Sequence, residues 1–301
     1  MKLRAPSLDD LPALAAFFRV LEQYGVGGAS ESDLRDWLTS PMFDPAQDFR
    51  MAIEDDRIVG WCDVWDQDKS RKRFDLDVRA HPRESGTYGA LLDWGVGRAR
   101  ELTTGAPAVA RVLVDSQDAV FRTVAEERDF SLFRHAFRME IDLADEPAAP
   151  RWPDGIAVRS FRAGDARSVY DAHCEIFAGD WNFVALEFED WCKLHVGASE
   201  FDPTLWFLAE DGGALAGFSL CRSERRPNTG HIGSLGVRSP WRRRGLGAAL
   251  LAHSFRELRA RGRPKADLGV EADNPTGAVQ LYERAGMRPV YRIDTYEKDL
   301  E

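Results

Sequence analysis

The chain repeats itself, and this constrains its fold more than any other feature. Glu127-Arg-Asp-Phe-Ser-Leu-Phe-Arg-His-Ala-Phe-Arg-Met-Glu-Ile-Asp-Leu143 has a counterpart in Glu283-Arg-Ala-Gly-Met-Arg-Pro-Val-Tyr-Arg-Ile-Asp-Thr-Tyr-Glu-Lys-Asp-Leu300, which begins 156 positions later. Residues 51–61 match residues 207–218 at nearly the same offset, each reading as a strand, a polar turn and a second strand. A length of 301 residues suits two domains of ordinary size. The expected division is a domain over 1–145, a linker over 146–155 that is rich in proline and charge, and a domain over 156–301.

The coarse order in each half is strand, helical stretches, hairpin, strand, long helix, strand, short helix and closing hairpin. In the second half Leu246, Leu250, Leu251 and Phe255 recur at helical spacing, which predicts a helix from about Gly245 to Arg261, stopped by Gly262. Strands are expected over 231–237 and 266–271. A strand, a glycine-rich turn, a long helix and another strand make an α/β unit.

The turn carries the chemistry. In Leu235-Gly-Val-Arg-Ser-Pro-Trp-Arg-Arg-Arg-Gly-Leu-Gly-Ala-Ala-Leu250 a strand ends, Pro240 breaks the ladder, and a basic turn opens a helix. Free backbone N–H groups and the positive helix end then converge on one place, which suits phosphate. Gly245 and Gly247 allow close backbone approach, and Arg242, Arg243 and Arg244 add charge. It is neither a Walker loop nor a dinucleotide fingerprint.

Composition narrows the remaining classes. A hydrophobic share of 44%, with 11% aromatic, excludes chain-wide disorder. There is no apolar run of membrane-spanning length, and Asp9 and Asp10 interrupt what would be a secretory leader, so a cytoplasmic protein is expected. Cys62, Cys174, Cys192 and Cys221 form no CxxC pair and read as buried reduced thiols. Six histidines lack metal-ligand spacing, so no metal is expected. A formal charge of −10 argues against nucleic acid and would welcome a cationic substrate.

The second half resembles the GCN5-related N-acetyltransferase (GNAT) family. Arg242-Arg-Arg-Gly245-Leu-Gly247 matches its R-x-x-G-x-G signature, and Leu235-Gly-Val237-Arg-Ser-Pro240 its strand end, with one residue inserted before the proline. Asn274-Pro-Thr-Gly-Ala-Val-Gln-Leu-Tyr282-Glu-Arg-Ala-Gly-Met287 is similar to its N-x-x-A-x-x-L-Y segment. The resemblance implies tandem domains, each a mixed, mostly antiparallel sheet flanked by helices, with a splayed acetyl-CoA cleft. It implies pairing of pantetheine with Leu235, Gly236 and Val237, and pyrophosphate held from Arg242 through Arg243, Arg244, Gly245, Leu246 and Gly247 to Ala248. Asn274 would contact the pantetheine arm, or cap a helix before Pro275, or do both.

Tyr282 stands where the family places a general acid for the leaving thiolate, and it also reads as a core tyrosine. His231 occupies a position where members often have a glutamate base, or it simply lines the strand start. The implied reaction is direct transfer of acetyl from acetyl-CoA to a small-molecule primary amine in a ternary complex. Tandem members that acetylate the cysteinyl amine of a pseudodisaccharide are similar in length and order. A non-catalytic acyl-CoA sensor is the alternative of a different class.

The first half is the internal control. Its matching turn holds Tyr88 where the second glycine stands and Glu84 where a cation stands, with Ala125 opposite Tyr282 and Gln117 opposite Asn274. A catalytically degenerate copy is expected, which completes the acceptor pocket and makes the chain a monomer with an internal pseudo-dimer. Residues 177–183, with Trp191 and Trp206, are candidates for the acceptor wall or for core. Asp180 and Trp181 are the named substrate candidates, Asp180 as a partner for a cationic amine.

Overall fold

The computed structural model describes residues 1–24, 28–40, 42–66, 69–81, 85–105, 107–180, 183–274 and 276–300. The first half of the sequence forms β1 (Lys2–Arg4), α1 (Leu11–Glu22), α2 (Glu31–Thr39), α3 (Pro45–Asp48), β2 (Phe49–Glu54), β3 (Arg57–Trp65), β4 (Arg73–Ala80), α4 (Ser85–Leu102), β5 (Ala108–Asp115), α5 (Ala119–Glu126) and β6 (Ser131–Asp142). The second forms β7 (Ile156–Ser160), α6 (Ala166–Phe177), α7 (Phe188–His195), β8 (Trp206–Asp211), β9 (Ala214–Arg226), β10 (Thr229–Val237), α8 (Leu246–Ala260), β11 (Lys265–Glu271), α9 (Ala278–Arg284) and β12 (Arg288–Leu300).

Packing divides the chain differently from its sequence halves. One unit is Met1–Ala136 with Arg292–Glu301, the other Phe137–Tyr291. The first unit's sheet runs β1-β2-β3-β4-β5-β12 and the second's β6-β11-β10-β9-β8-β7. Each is mostly antiparallel with one parallel pair, β4–β5 or β10–β11. The compact units thus differ from the halves of the repeat, because the two closing strands are exchanged. Ile293–Leu300 pairs with β5 and buries Tyr296 and Leu300 in the first core, whereas Met139 and Leu143 are buried in the second. The repeat explains why this is possible: the closing segments are alike, so either can complete either sheet.

In the second unit helices cover both faces of the sheet. On one face α8 buries Leu250, Leu251 and Phe255 against Phe207, Cys221 and Leu268. On the other, Val169, Ala172 and Trp191 of α6 and α7 pack on Trp206, Leu208 and Phe218. Each such side chain, fully buried, contributes on the order of 1.5–3 kcal/mol. Trp191 and Trp206 thus belong to the core. Among the cysteines Cys62 and Cys221 are buried, while Cys174 and Cys192 are partly exposed, and all four are free.

Candidate functional site

The splay begins where two parallel strands stop pairing. β10 and β11 are in register from Thr229/Lys265 to His231/Asp267, after which both continue without pairing to each other. At the same point β10 carries an extra residue against β9, since Ile232 faces Cys221 but Ser234 faces Leu220. This bulge at Gly233 bends the strand away from β11 and leaves the edge of Ser234 to Val237 open toward the gap. Gly236 is tightly packed, because a Cβ there would lie 3.0 Å from Ile176 of α6.

The open edge leads into the basic turn. Arg243 and Gly245 adopt left-handed backbone at φ 62° and 86°, and Gly245 caps α8. The first helical bond runs from Ala249 N to Gly245 O at 3.0 Å, so Leu246, Gly247 and Ala248 direct first-turn N–H groups outward with no intrahelical acceptor. Arg242 donates from Nε to the Val237 carbonyl at 2.9 Å, and Arg244 lies 4.0 Å from Asp211. Arg242, Arg243 and Arg244 are all exposed. Left-handed turn residues, orphan donors and exposed cations make a turn able to hold an anionic group.

Tyr282 sits on α9, buried, and no hydrogen-bond partner meets its hydroxyl among the described residues. Burial, with the Asp180 carboxylate nearby, pushes its pKa up to about 12, so it stays protonated and able to donate. Asp180 follows α6 and is itself held above the usual carboxylate range by burial, opposed by Arg242. The structure thus brings Asp180, Arg242 and Tyr282 into one electrostatic neighbourhood. Trp181 lies outside the described residues. Asn274 does not cap α9, which Gly277 does; its Oδ1 accepts from Thr276 N at 3.0 Å and Thr276 Oγ1 at 2.5 Å.

His231 marks the apex of the splay. Its Nδ1 is 2.6 Å from Asp267 Oδ1 and its Nε2 is 3.1 Å from Arg225 Nη1. Arginine can only donate, so Nε2 accepts and Nδ1–H donates to Asp267, which makes the imidazole neutral. Desolvation lowers its pKa, as does Arg225, against the opposing pull of Asp267. The sequence offered no signal for Asp267 or Arg225, because the parallel register and a neighbouring strand bring them to His231.

His173 and His195 were also beyond sequence reasoning. His173 Nε2 is 3.4 Å from Ser234 Oγ, its buried Nδ1 meets no partner among the described residues, and Phe177, Phe183 and Phe218 surround the ring. Desolvation lowers the pKa of both histidines to about 4. Between pH 6.5 and 4 the unfolded chain therefore binds protons that the folded chain refuses. Stability should be complete above pH 6.5 and fall through that window by on the order of 2–3 kcal/mol per histidine. Urea midpoints at pH 7, 5 and 4 read this, and a His173→Phe variant with an undiminished slope would contradict it.

The first unit keeps the splay but fills it. β4 and β5 pair only from Arg73/Val109 to Leu76/Val112. Beyond that, the Tyr88 hydroxyl donates to Asp118 Oδ2 at 2.8 Å and lies 3.0 Å from Ala80 O, and its ring stacks on Phe121 at 4.5 Å. Ala125, opposite Tyr282 in the repeat, is buried core. Residues 82–84 of the matching turn lie outside the described residues. With this gap filled by its own tyrosine, calorimetry should find one acetyl-CoA site per chain; two sites would refute the assignment.

Comparisons with known proteins agree with this fold. The acetyltransferase (GNAT) family model matches residues 166–287. A mycothiol acetyltransferase of Streptomyces scabiei is 35% identical over 247 residues, covering 81% of this chain and 75% of that protein. One of Streptomyces bingchenggensis is 31% identical, covering 81% and 76%. Among solved structures, a GCN5-related N-acetyltransferase from Sphaerobacter thermophilus superposes with a TM-score of 0.79 at 29% identity, covering 100% of this chain and 96% of that one. A tandem GNAT protein from the clavulanic acid biosynthesis pathway gives 0.76 at 17% identity, covering 100% and 98%, a likeness of fold.

Proposed function

The chain belongs to the GNAT acetyltransferase family, and from that premise we propose that its second unit moves the acetyl group of acetyl-CoA to a primary amine of a small molecule. The observation that carries this reading is the open edge of β10 leading into a turn of unpaired N–H groups and exposed arginines. Those residues fit the cosubstrate: Ser234 to Val237 offer a strand edge to its amide arm, and Arg242 to Ala248 offer donors and charge to its pyrophosphate. When bound, acetyl-CoA supplies an activated thioester carbonyl.

The chain's own groups would then manage two protons. An ammonium has no lone pair, so the amine must lose a proton, and His231 Nε2 is the basic nitrogen at the apex, with Asp267 fixing its tautomer. The C–N bond forms as the C–S bond breaks, and the Tyr282 hydroxyl gives its proton to the departing sulfur. Direct attack requires both substrates to be bound together. Mass spectrometry of acetyl-CoA reactions with a panel of small amines tests the proposal; CoA released by hydrolysis alone, with no N-acetyl product, would overturn it.

A second reading rests on the relatives' names. The first amine to assay is then the cysteinyl amine of the mycothiol precursor.

A further inference from the structure

Three guanidiniums surround the apex of the splay, and two of them have carboxylates. Arg222 pairs with Glu200 at 3.0 Å and Arg226 with Asp267 at 2.5 Å. Arg225 has neither: among the described residues its hydrogen-bond partner is the neutral imidazole of His231. The residue is exposed overall, yet desolvation around its guanidinium, with Arg226 and Arg222 beside it, lowers its pKa. Near Arg226 and Asp267, Arg138 adds a fourth guanidinium whose buried Nε meets no partner among the described residues. In a chain of net charge −10 this is a local surplus of positive charge at the apex of the splay.

We propose that Arg225 docks an oxyanion carried by the acceptor amine, a carboxylate or a phosphate monoester, and that this docking frees His231 to act. An oxyanion offers the guanidinium an opposite charge and two acceptor oxygens for a bidentate contact, neither of which the neutral imidazole can supply, so Arg225 exchanges the imidazole for a carboxylate or phosphate readily. In the resting state Arg225 occupies the lone pair of His231 Nε2, and the base is blocked. An acceptor with the right anion draws Arg225 away and exposes that lone pair beside the amine. This inference rests on reading the cleft as an acetyl-transfer site, and it favours an anionic acceptor over an uncharged sugar.

The test is calorimetric titration of succinate and, separately, inorganic phosphate into the full chain saturated with CoA, which keeps the pyrophosphate turn occupied. Ionic strength is held constant with NaCl. Saturable binding in the millimolar range is expected, weakened at least tenfold by Arg225→Gln, retained in part by Arg225→Lys, and unaffected by Arg35→Gln, a change in an exposed ion pair of α2. The tighter of the two probes identifies the anion. The His231 Nε2 nitrogen resonance should move on saturation in the wild type and stay fixed in Arg225→Gln. Absence of saturable binding, equal affinity in Arg225→Gln, or an unmoved His231 signal would overturn the proposal. CoA affinity reads out separately: if CoA does not bind the wild type, the acetyl-transfer reading fails, and the anions are then titrated into the free protein. If Arg225→Gln does not fold, Arg225→Lys decides, with at least a threefold loss expected because an ammonium lacks the planar fork.

Discussion

With Arg243→Glu and Gly247→Glu combined, acetyl-CoA affinity should fall at least about a hundredfold, close to 2.7 kcal/mol, while the fold survives. The fold argument is local. A Cβ at Gly247 would meet Leu281 Cδ2 at 3.4 Å and Val237 Cγ2 at 3.8 Å, which are ordinary contacts, and Gly247 does not have a positive φ. A glutamate in the first turn of α8 also suits the positive helix end. Arg243 is exposed at φ 62°, and glutamate there bears the same backbone strain as arginine. Two carboxylates, however, replace one cation and enter the cradle where pyrophosphate oxygens must meet N–H groups. Calorimetry on the variant, with a melting curve beside it, checks both halves of the expectation. Undiminished affinity at an unchanged melting temperature would move the cofactor elsewhere.

Tyr282→Phe is the second large effect, and it should act on turnover alone. We expect kcat to drop at least about tenfold, within the range a positioned acid contributes, with the dissociation constant of acetyl-CoA nearly unchanged. Phenylalanine keeps the ring, which packs within the second core, and removes a hydroxyl that meets no hydrogen-bond partner among the described residues. No buried partner is left stranded, so stability should hardly move. Because the hydroxyl titrates at about 12, wild-type activity should show no loss from tyrosine ionisation up to about pH 10. An unchanged kcat in the variant would remove Tyr282 from the mechanism and leave the thiolate to be protonated by water.

Much of the architecture was legible because it is local. The helix expected from Gly245 to Arg261 is Leu246–Ala260, bounded by Gly245 at φ 86° and Gly262 at φ 75°. The strands expected at 231–237 and 266–271 start one or two residues earlier. Glycines placed around a periodic apolar pattern specify such a unit without reference to the rest of the chain. Tyr88 was legible as the residue standing where the second glycine of the turn stands, although its bonds to Ala80 and Asp118 depend on the folded backbone.

What remained hidden depends on residues far apart in sequence. His231 could be nominated from its place before the turn, but Asp267 reaches it through a parallel register and Arg225 from an adjacent strand. The exchange of Met139–Leu143 and Ile293–Leu300 was hidden for the opposite reason. Two similar segments satisfy the same apolar pattern, so the sequence cannot say which core each one enters. The sequence by itself determined the repeat, the family and the glycine-rich basic turn before α8, because each is written in contiguous residues. Only the tertiary structure decided strand ownership and the state of His231, because register and cross-strand charge exist only once the chain has folded.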